Sequence, residues 1–192
     1  FQDQAPDWAL EARGIDDKSF SLYGLKWNTN KNSWITPIRD PQSFKLMGWQ
    51  EKSQTERFFR NRPTGVQKSR TLFGIDIFKG GTMIVVESPL DSVRLSSLGI
   101  SGGVSTFGAA ISDQQLALMK RADKLIIAMD NDTAGKKAAT DLLERTRKEG
   151  MECWFLNYQG SEYKDIGDMP EDLVHSCIEG SKHSVFGEAA FL

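Results

Sequence analysis

The segment LIIAMDNDTAGKKAATDLL, residues 125–143, decides the fold. Five apolar residues in a row stop at Asp130-Asn131-Asp132, and a helical stretch follows from Thr133 to about Glu149, ended by Gly150. A short continuous apolar run of this kind reads as a buried strand, and a strand that turns directly into a helix belongs to an α/β layer. Working outward, MIVVE (83–87) is a second buried strand, and PLDSVRLSSLG follows it with Pro89 at a helix start and Gly99 at its stop. GVST (103–106) is a short strand, Ser112 is placed to cap a helix through QQLALMKRA, and MECWFLNY (151–158) is the next strand. Strands that alternate with helices need right-handed crossovers and a parallel sheet. The expected fold class is therefore α/β, with a parallel-rich central sheet flanked by helices over residues 80–170.

Residues 1–79 have a different texture. Short aromatic runs with strand-like alternation, such as SWITPIRD and FKLMGWQ, lie between clusters of Asn, Pro and Gly, which predicts a smaller α+β subdomain of short strands and turns. Residues 171–192 are expected to form a C-terminal helical extension or linker, and the tail SKHSVFGEAAFL shows no strand or helix pattern of its own.

The 192 residues are 39% hydrophobic and 26% charged, with a mean hydropathy of -0.42. That is globular composition with enough chain for one substantial domain, or two small ones sharing a core. No apolar run approaches the ~20 residues of a spanning helix, so no membrane partner is expected. Cys153 and Cys177 give neither a disulfide framework nor a zinc spacing, even beside His175 and His183, which fits a reducing, cytoplasmic setting. The opening at Phe1 has no signal-peptide character and reads as the start of a piece of a longer protein. Charge is unevenly spread: residues 1–79 hold 13 Lys and Arg against 9 Asp and Glu, whereas residues 80–192 hold 11 against 17. A basic half beside an acidic half suggests a polyanion surface next to a cation site, the alternative being ordinary solvated faces.

Ligands of open parallel sheets bind at the carboxyl ends of the strands. Three successive strand ends carry acids there: Glu87, then Asp130 and Asp132, then Asp165 and Asp168 in YKDIGD (163–168). Carboxylates gathered on one edge repel unless a divalent cation neutralises them, and hard oxygen ligands point to Mg²⁺ or Mn²⁺. Any one of these acids could equally cap a helix; the recurrence at three ends carries the argument. Asp91, four residues after Glu87, reads either as an acid behind the metal ligands or as a surface charge.

Taken in order, VVESPLDSVRLSSLGI, VSTFGAAISDQQLALM, LIIAMDNDTAGKKAATDLL and YKDIGD resemble the Toprim domain shared by DnaG-type primases, topoisomerases and some nucleases, over roughly residues 82–170. The resemblance implies that Glu87, Asp130 and Asp132, with Asp165 and Asp168, hold catalytic Mg²⁺. Upstream, WITPIRD (34–40), FFRNRP (58–63) and KSRTLFGID (68–76) look like the basic part of a DnaG-type primase core. That likeness assigns template and nucleotide-phosphate contacts to Arg39, Lys68 and Arg70. The family usually has a lysine where Phe58 stands, so Arg57 and Arg60 are candidates to substitute for it. Ser88-Pro89, in place of the usual glycine after the glutamate, is more similar to phage versions. The implied activity is synthesis of short RNA primers on a single-stranded DNA template from NTPs, with a replicative helicase as partner through a domain expected elsewhere in the longer protein.

Three other readings compete. LIIAMDNDTAG with GDMPED (167–172) mimics a haloacid-dehalogenase-type phosphatase, but a Glu-ending strand precedes it and the two motifs lie close together. A Toprim nuclease or topoisomerase-like module is a second; Tyr23, Tyr158 and Tyr163 show no context for strand passage. The third is a non-catalytic nucleic-acid-binding module.

Overall fold

The structure, a computed structural model, describes residues 1–158 and 160–183. Helices α1 (Asp7–Arg13) and α2 (Asp17–Leu22) come first. Gly14, at φ 57°, ends α1, and the Asp16 carboxylate caps α2 by accepting the Ser19 N–H at 2.7 Å. An antiparallel meander follows in spatial order: β1 (Lys26–Asn28), β2 (Ser33–Arg39), β3 (Leu46–Ser53) and β4 (Phe59–Arg62). Register sets Trp27 opposite Trp34, and their buried rings meet edge to face at 5.2 Å.

The second sheet is built from β5 (Thr82–Val86), β6 (Gly103–Ser105), β7 (Lys124–Ile127), β8 (Cys153–Phe155) and β9 (Lys182–His183), in the order β6-β5-β7-β8-β9. The first four are parallel and β9 is antiparallel. The connecting helices are α3 (Pro89–Ser97), α4 (Asp113–Met119), α5 (Thr133–Lys148) and α6 (Glu171–Glu179). Ser112 starts α4 through a reciprocal capping box with Gln115. This is the α/β layer the alternating strands and helices required. Two details differ from the sequence expectation. The strand expected over 151–158 is confined to Cys153–Phe155, and Lys182–His183, in the tail read as patternless, pairs with β8 as an edge strand. Residues 184–192 of that tail lie outside the described residues.

Alternation along the strands divides the apolar side chains between two faces. Met83, Val85, Leu125 and Ile127 join the core with α4 and α5, while Ile84, Val86, Ile126 and Ala128 pack with Leu95 of α3 and with Val174 and Cys177 of α6. A third core belongs to the first part of the chain, and α3 supplies it with Leu90 and Val93. The Tyr23 hydroxyl, inside that core, donates to the Gly103 carbonyl at 2.8 Å at the start of β6. The two parts are thus built around a common helix. After β6 the chain crosses back over β5 to form β7, so the direction of winding reverses between these two neighbours. Open α/β sheets bind ligands outside the carboxyl ends at such a point, and Glu87 and Asp130 emerge there.

Candidate metal centre and nucleic-acid interface

Glu87 leaves the end of β5, and its Oε1 accepts a hydrogen bond from the Asp130 backbone N–H at 3.3 Å. Asp91 stands in the first turn of α3 and is only 6% exposed. Asp91, Asp130 and Asp165 each offer a carboxylate oxygen within 4.8 Å of the other two. Its burial does not fit the surface-charge reading of Asp91; it is one of the three members of the cluster. Asp165 comes from the loop after β8, which Asn131 holds in place. The Asn131 Nδ2 donates to the carbonyls of Ser161 and Tyr163, each at 3.2 Å, and its backbone N–H donates to Lys164 O at 2.6 Å. Gly167 lets the loop come this close: a Cβ there would lie 2.9 Å from both Asp165 Oδ1 and Asp91 Oδ1.

The other two predicted acids take outer positions. Asp132 caps α5, its Oδ1 accepting the Gly135 N–H at 2.9 Å. Gly135 has to be glycine, because a Cβ would sit 2.0 Å from the Asp130 carbonyl oxygen. Asp168 is exposed and reaches the cluster through its backbone N–H, which donates to Asp165 Oδ1 at 3.1 Å. Lys164 Nζ lies 3.3 Å from Asp130 and 3.5 Å from Asp132 and bridges the two.

Burial and mutual repulsion show in the proton affinities. Burial, followed by the Asp130 charge, pushes the Glu87 carboxyl up to about 7. Burial, then Asp165 and Asp130, holds Asp91 well above the usual carboxylate range, and Asp130 and Asp165 are raised in the same way. Asp132 goes the other way, lowered first by its Gly135 hydrogen bond. Buried carboxylates that resist ionisation in each other's company are what a divalent cation stabilises, and the all-oxygen donor set suits Mg²⁺ or Mn²⁺.

Basic side chains of the first part reach the same edge unequally. Lys52 of β3 is close enough for Asp91, Asp165 and Asp130 to favour its charged form, although burial and Arg13 lower its pKa overall. Lys68 donates to Phe107 O at 2.6 Å, next to Gly108, whose N–H bonds Glu87 O at 3.0 Å. Its ammonium also lies 5.5 Å from the ring centre of half-exposed Phe59. Arg57 is exposed, and Arg70 reaches Gln67 Oε1 at 3.5 Å and favours the ionised form of Asp40. Arg60 makes a 2.6 Å ion pair with Glu51, whose side chain is fully buried and also accepts from Ser33 and Asn28. Arg39 lies at the opposite end of β2 from Trp34, the residue paired with Lys52, and forms an ion pair with Asp76 at 3.2 Å. The structure thus brings Lys68 to the acidic edge with Glu87, Asp130, Asp132 and Asp165, and sets Arg39 apart from it. Lys52, Asp91 and Gly167 are the members that the motif reading did not single out as site residues. Only the i, i+4 spacing of Asp91 from Glu87 pointed towards one of them.

Residues 84–169 match the Toprim-like family. The DNA primase of Synechococcus elongatus is 34% identical over 148 residues, which is 71% of this chain and 20% of that protein. The solved structure of the DnaG primase catalytic domain bound to ssDNA superimposes with a TM-score of 0.73 at 19% identity, covering 96% of this chain and 72% of that one. The primase fragment of the bacteriophage T7 primase-helicase protein gives a TM-score of 0.69 at 21% identity, covering 88% and 73%. The chain spans 20–31% of the length of these curated relatives. Among the described residues, no helix is long and apolar enough to cross a membrane.

Proposed function

From a chain that belongs to the DnaG-type primase family, with the Toprim domain and catalytic-core fold of that family, we propose the polymerising activity itself: synthesis of short RNA primers on single-stranded DNA. The observation that carries this reading is the meeting of Asp91, Asp130 and Asp165 at one sheet edge, with Lys52 of β3 near enough to feel their charge and Lys68 bonded beside the Glu87 strand end. A simple metal-binding domain has no need of cations beside its carboxylates; a nucleotidyl transferase does, because template, primer and triphosphate are all polyanions.

In the proposed reaction a primer 3′-hydroxyl attacks the α-phosphorus of an NTP, a new P–O bond forms, and pyrophosphate leaves with the old one. Asp91, Asp130, Asp165 and Glu87 would hold Mg²⁺, and Asp132 and Asp168 stand at the rim of the same site. The bound cation supplies neutralisation of charge on the attacking and leaving oxygens. Lys52 and Lys68 bring positive charge to the acidic edge and hold phosphates there, with Arg57 and Arg70 as further phosphate contacts. Arg60 serves first as the counter-charge of buried Glu51, and Arg39 as that of Asp76. NTPs and a single-stranded DNA template are the proposed ligands, a replicative helicase the proposed partner, and the cytoplasm the proposed setting.

The test is de novo oligonucleotide synthesis on single-stranded DNA with labelled NTPs and Mg²⁺ or Mn²⁺, comparing the wild type with Glu87→Gln and Asp130→Asn. Metal-dependent short products that disappear in both variants support the proposal. Template cleavage without synthesis would overturn it in favour of a nuclease.

A further inference from the structure

One cation near the cluster touches none of its carboxylates. Arg94 lies on α3 one turn after Asp91, and its Nη1 donates to the Gly167 carbonyl at 2.6 Å while its Nη2 bonds the Met169 carbonyl. These two carbonyls bracket Asp168, in the loop whose Asp165 supplies the third oxygen of the cluster. The guanidinium therefore spends both terminal nitrogens on backbone rather than on the nearby acids. Its buried Nε makes no hydrogen bond among the described residues, so the side chain is held there by the two carbonyls and by packing. Gly14 leaves room for it: a Cβ at that position would stand 3.3 Å from Arg94 Nη1.

We infer that Arg94 is a positioning residue for the metal centre. It fixes the 165–169 loop against α3, so that Asp165 and Asp91, which belong to distant segments, keep the spacing a divalent cation needs. Asp91 is rigid because it lies on the same helix as the clamp; Asp165 is rigid because the clamp grips its loop two and four residues downstream. A residue that orients metal ligands through the groups behind them commonly changes metal affinity 10–100-fold when lost. This inference rests on the reading of Asp91, Asp130 and Asp165 as metal ligands.

The experiment is Mn²⁺ binding, by electron paramagnetic resonance of free Mn²⁺ and by calorimetry, to the wild type, Arg94→Gln and Arg94→Lys, with thermal unfolding of each metal-free protein. Arg94→Gln should bind Mn²⁺ 10–100-fold more weakly. Arg94→Lys, which keeps the charge but reaches one carbonyl, should lie between it and the wild type and decides the matter if the glutamine variant does not fold. Where synthesis is measurable, raised Mn²⁺ should restore it in the lysine variant. A wild type that binds Mn²⁺ together with folded variants whose midpoint is unmoved overturns the role of Arg94 alone. No Mn²⁺ binding by the wild type overturns the metal-ligand reading with it.

Discussion

The Glu87 carboxylate accepts the backbone N–H of Asp130 at 3.3 Å, tying the ends of two adjacent parallel strands at the point where the winding direction reverses. The glutamate does this while its own proton affinity is raised to about 7, with burial and the Asp130 charge opposing its ionisation. Stability and metal binding are therefore set against each other at this residue.

Below pH 4.5, folded and unfolded states both keep the Glu87 proton, and between there and about 7 only the folded state does. The unfolded state then binds fewer protons, so the metal-free protein loses stability as pH rises through this window and levels off above it. The raised carboxyls of Asp91, Asp130 and Asp165 add with the same sign. Thermal unfolding in chelator between pH 5 and 8 should show a falling Tm, flatter in Glu87→Gln and relieved by Mg²⁺.

Asp91→Asn removes a buried charge from the company of two others. Without metal the variant should unfold at a higher temperature than the wild type, by about 2–4 °C for each kcal/mol gained in a chain of this size. It should bind Mn²⁺ at least ten times more weakly. A variant destabilised without metal would show that Asp91 has an unseen stabilising partner.

Asp132 has a cap to maintain as well as a place at the rim of the site, and two substitutions separate them. Asp132→Ala loses the hydrogen bond to the Gly135 N–H and should cost about 1 kcal/mol of stability. Asp132→Asn can keep the cap and should leave stability near wild type. Equal loss of primer synthesis in both, measured beside their unfolding curves, assigns the activity effect to the charge.

The basic residues should divide into two kinds. Lys68→Ala should weaken single-stranded DNA binding and lower the salt dependence of log Kd by about one ion, beside the stability lost with its hydrogen bond to Phe107 O. Arg60→Met leaves the fully buried Glu51 without its counter-charge and should cost about 2 kcal/mol of stability. Fluorescence titrations over a salt series and thermal unfolding check both.

The parallel layer was legible because the apolar runs at 83–86 and 125–129 are short, continuous and end in acids, a pattern few other arrangements produce. The helix cap at Ser112 was equally local and visible. Strand lengths at β8 and β9 were not legible, since two or three residues gain strand character only from the neighbour they pair with. The same limit applies to the site. Glu87, Asp130 and Asp165 stand at strand ends or in the loop beyond one, where position along the chain tells position in space. The reach of Lys52 depends on how one whole sheet leans on the other. Arg39, in a motif read beside Lys68, pairs with Asp76 far along the chain, a contact no local pattern encodes.

Helix α3 turns Leu90 and Val93 into the core of the first part and Leu95 into the core of the second. Two bodies pinned to one helix cannot part without drawing apolar side chains of one core or the other into water, so they are expected to move as one.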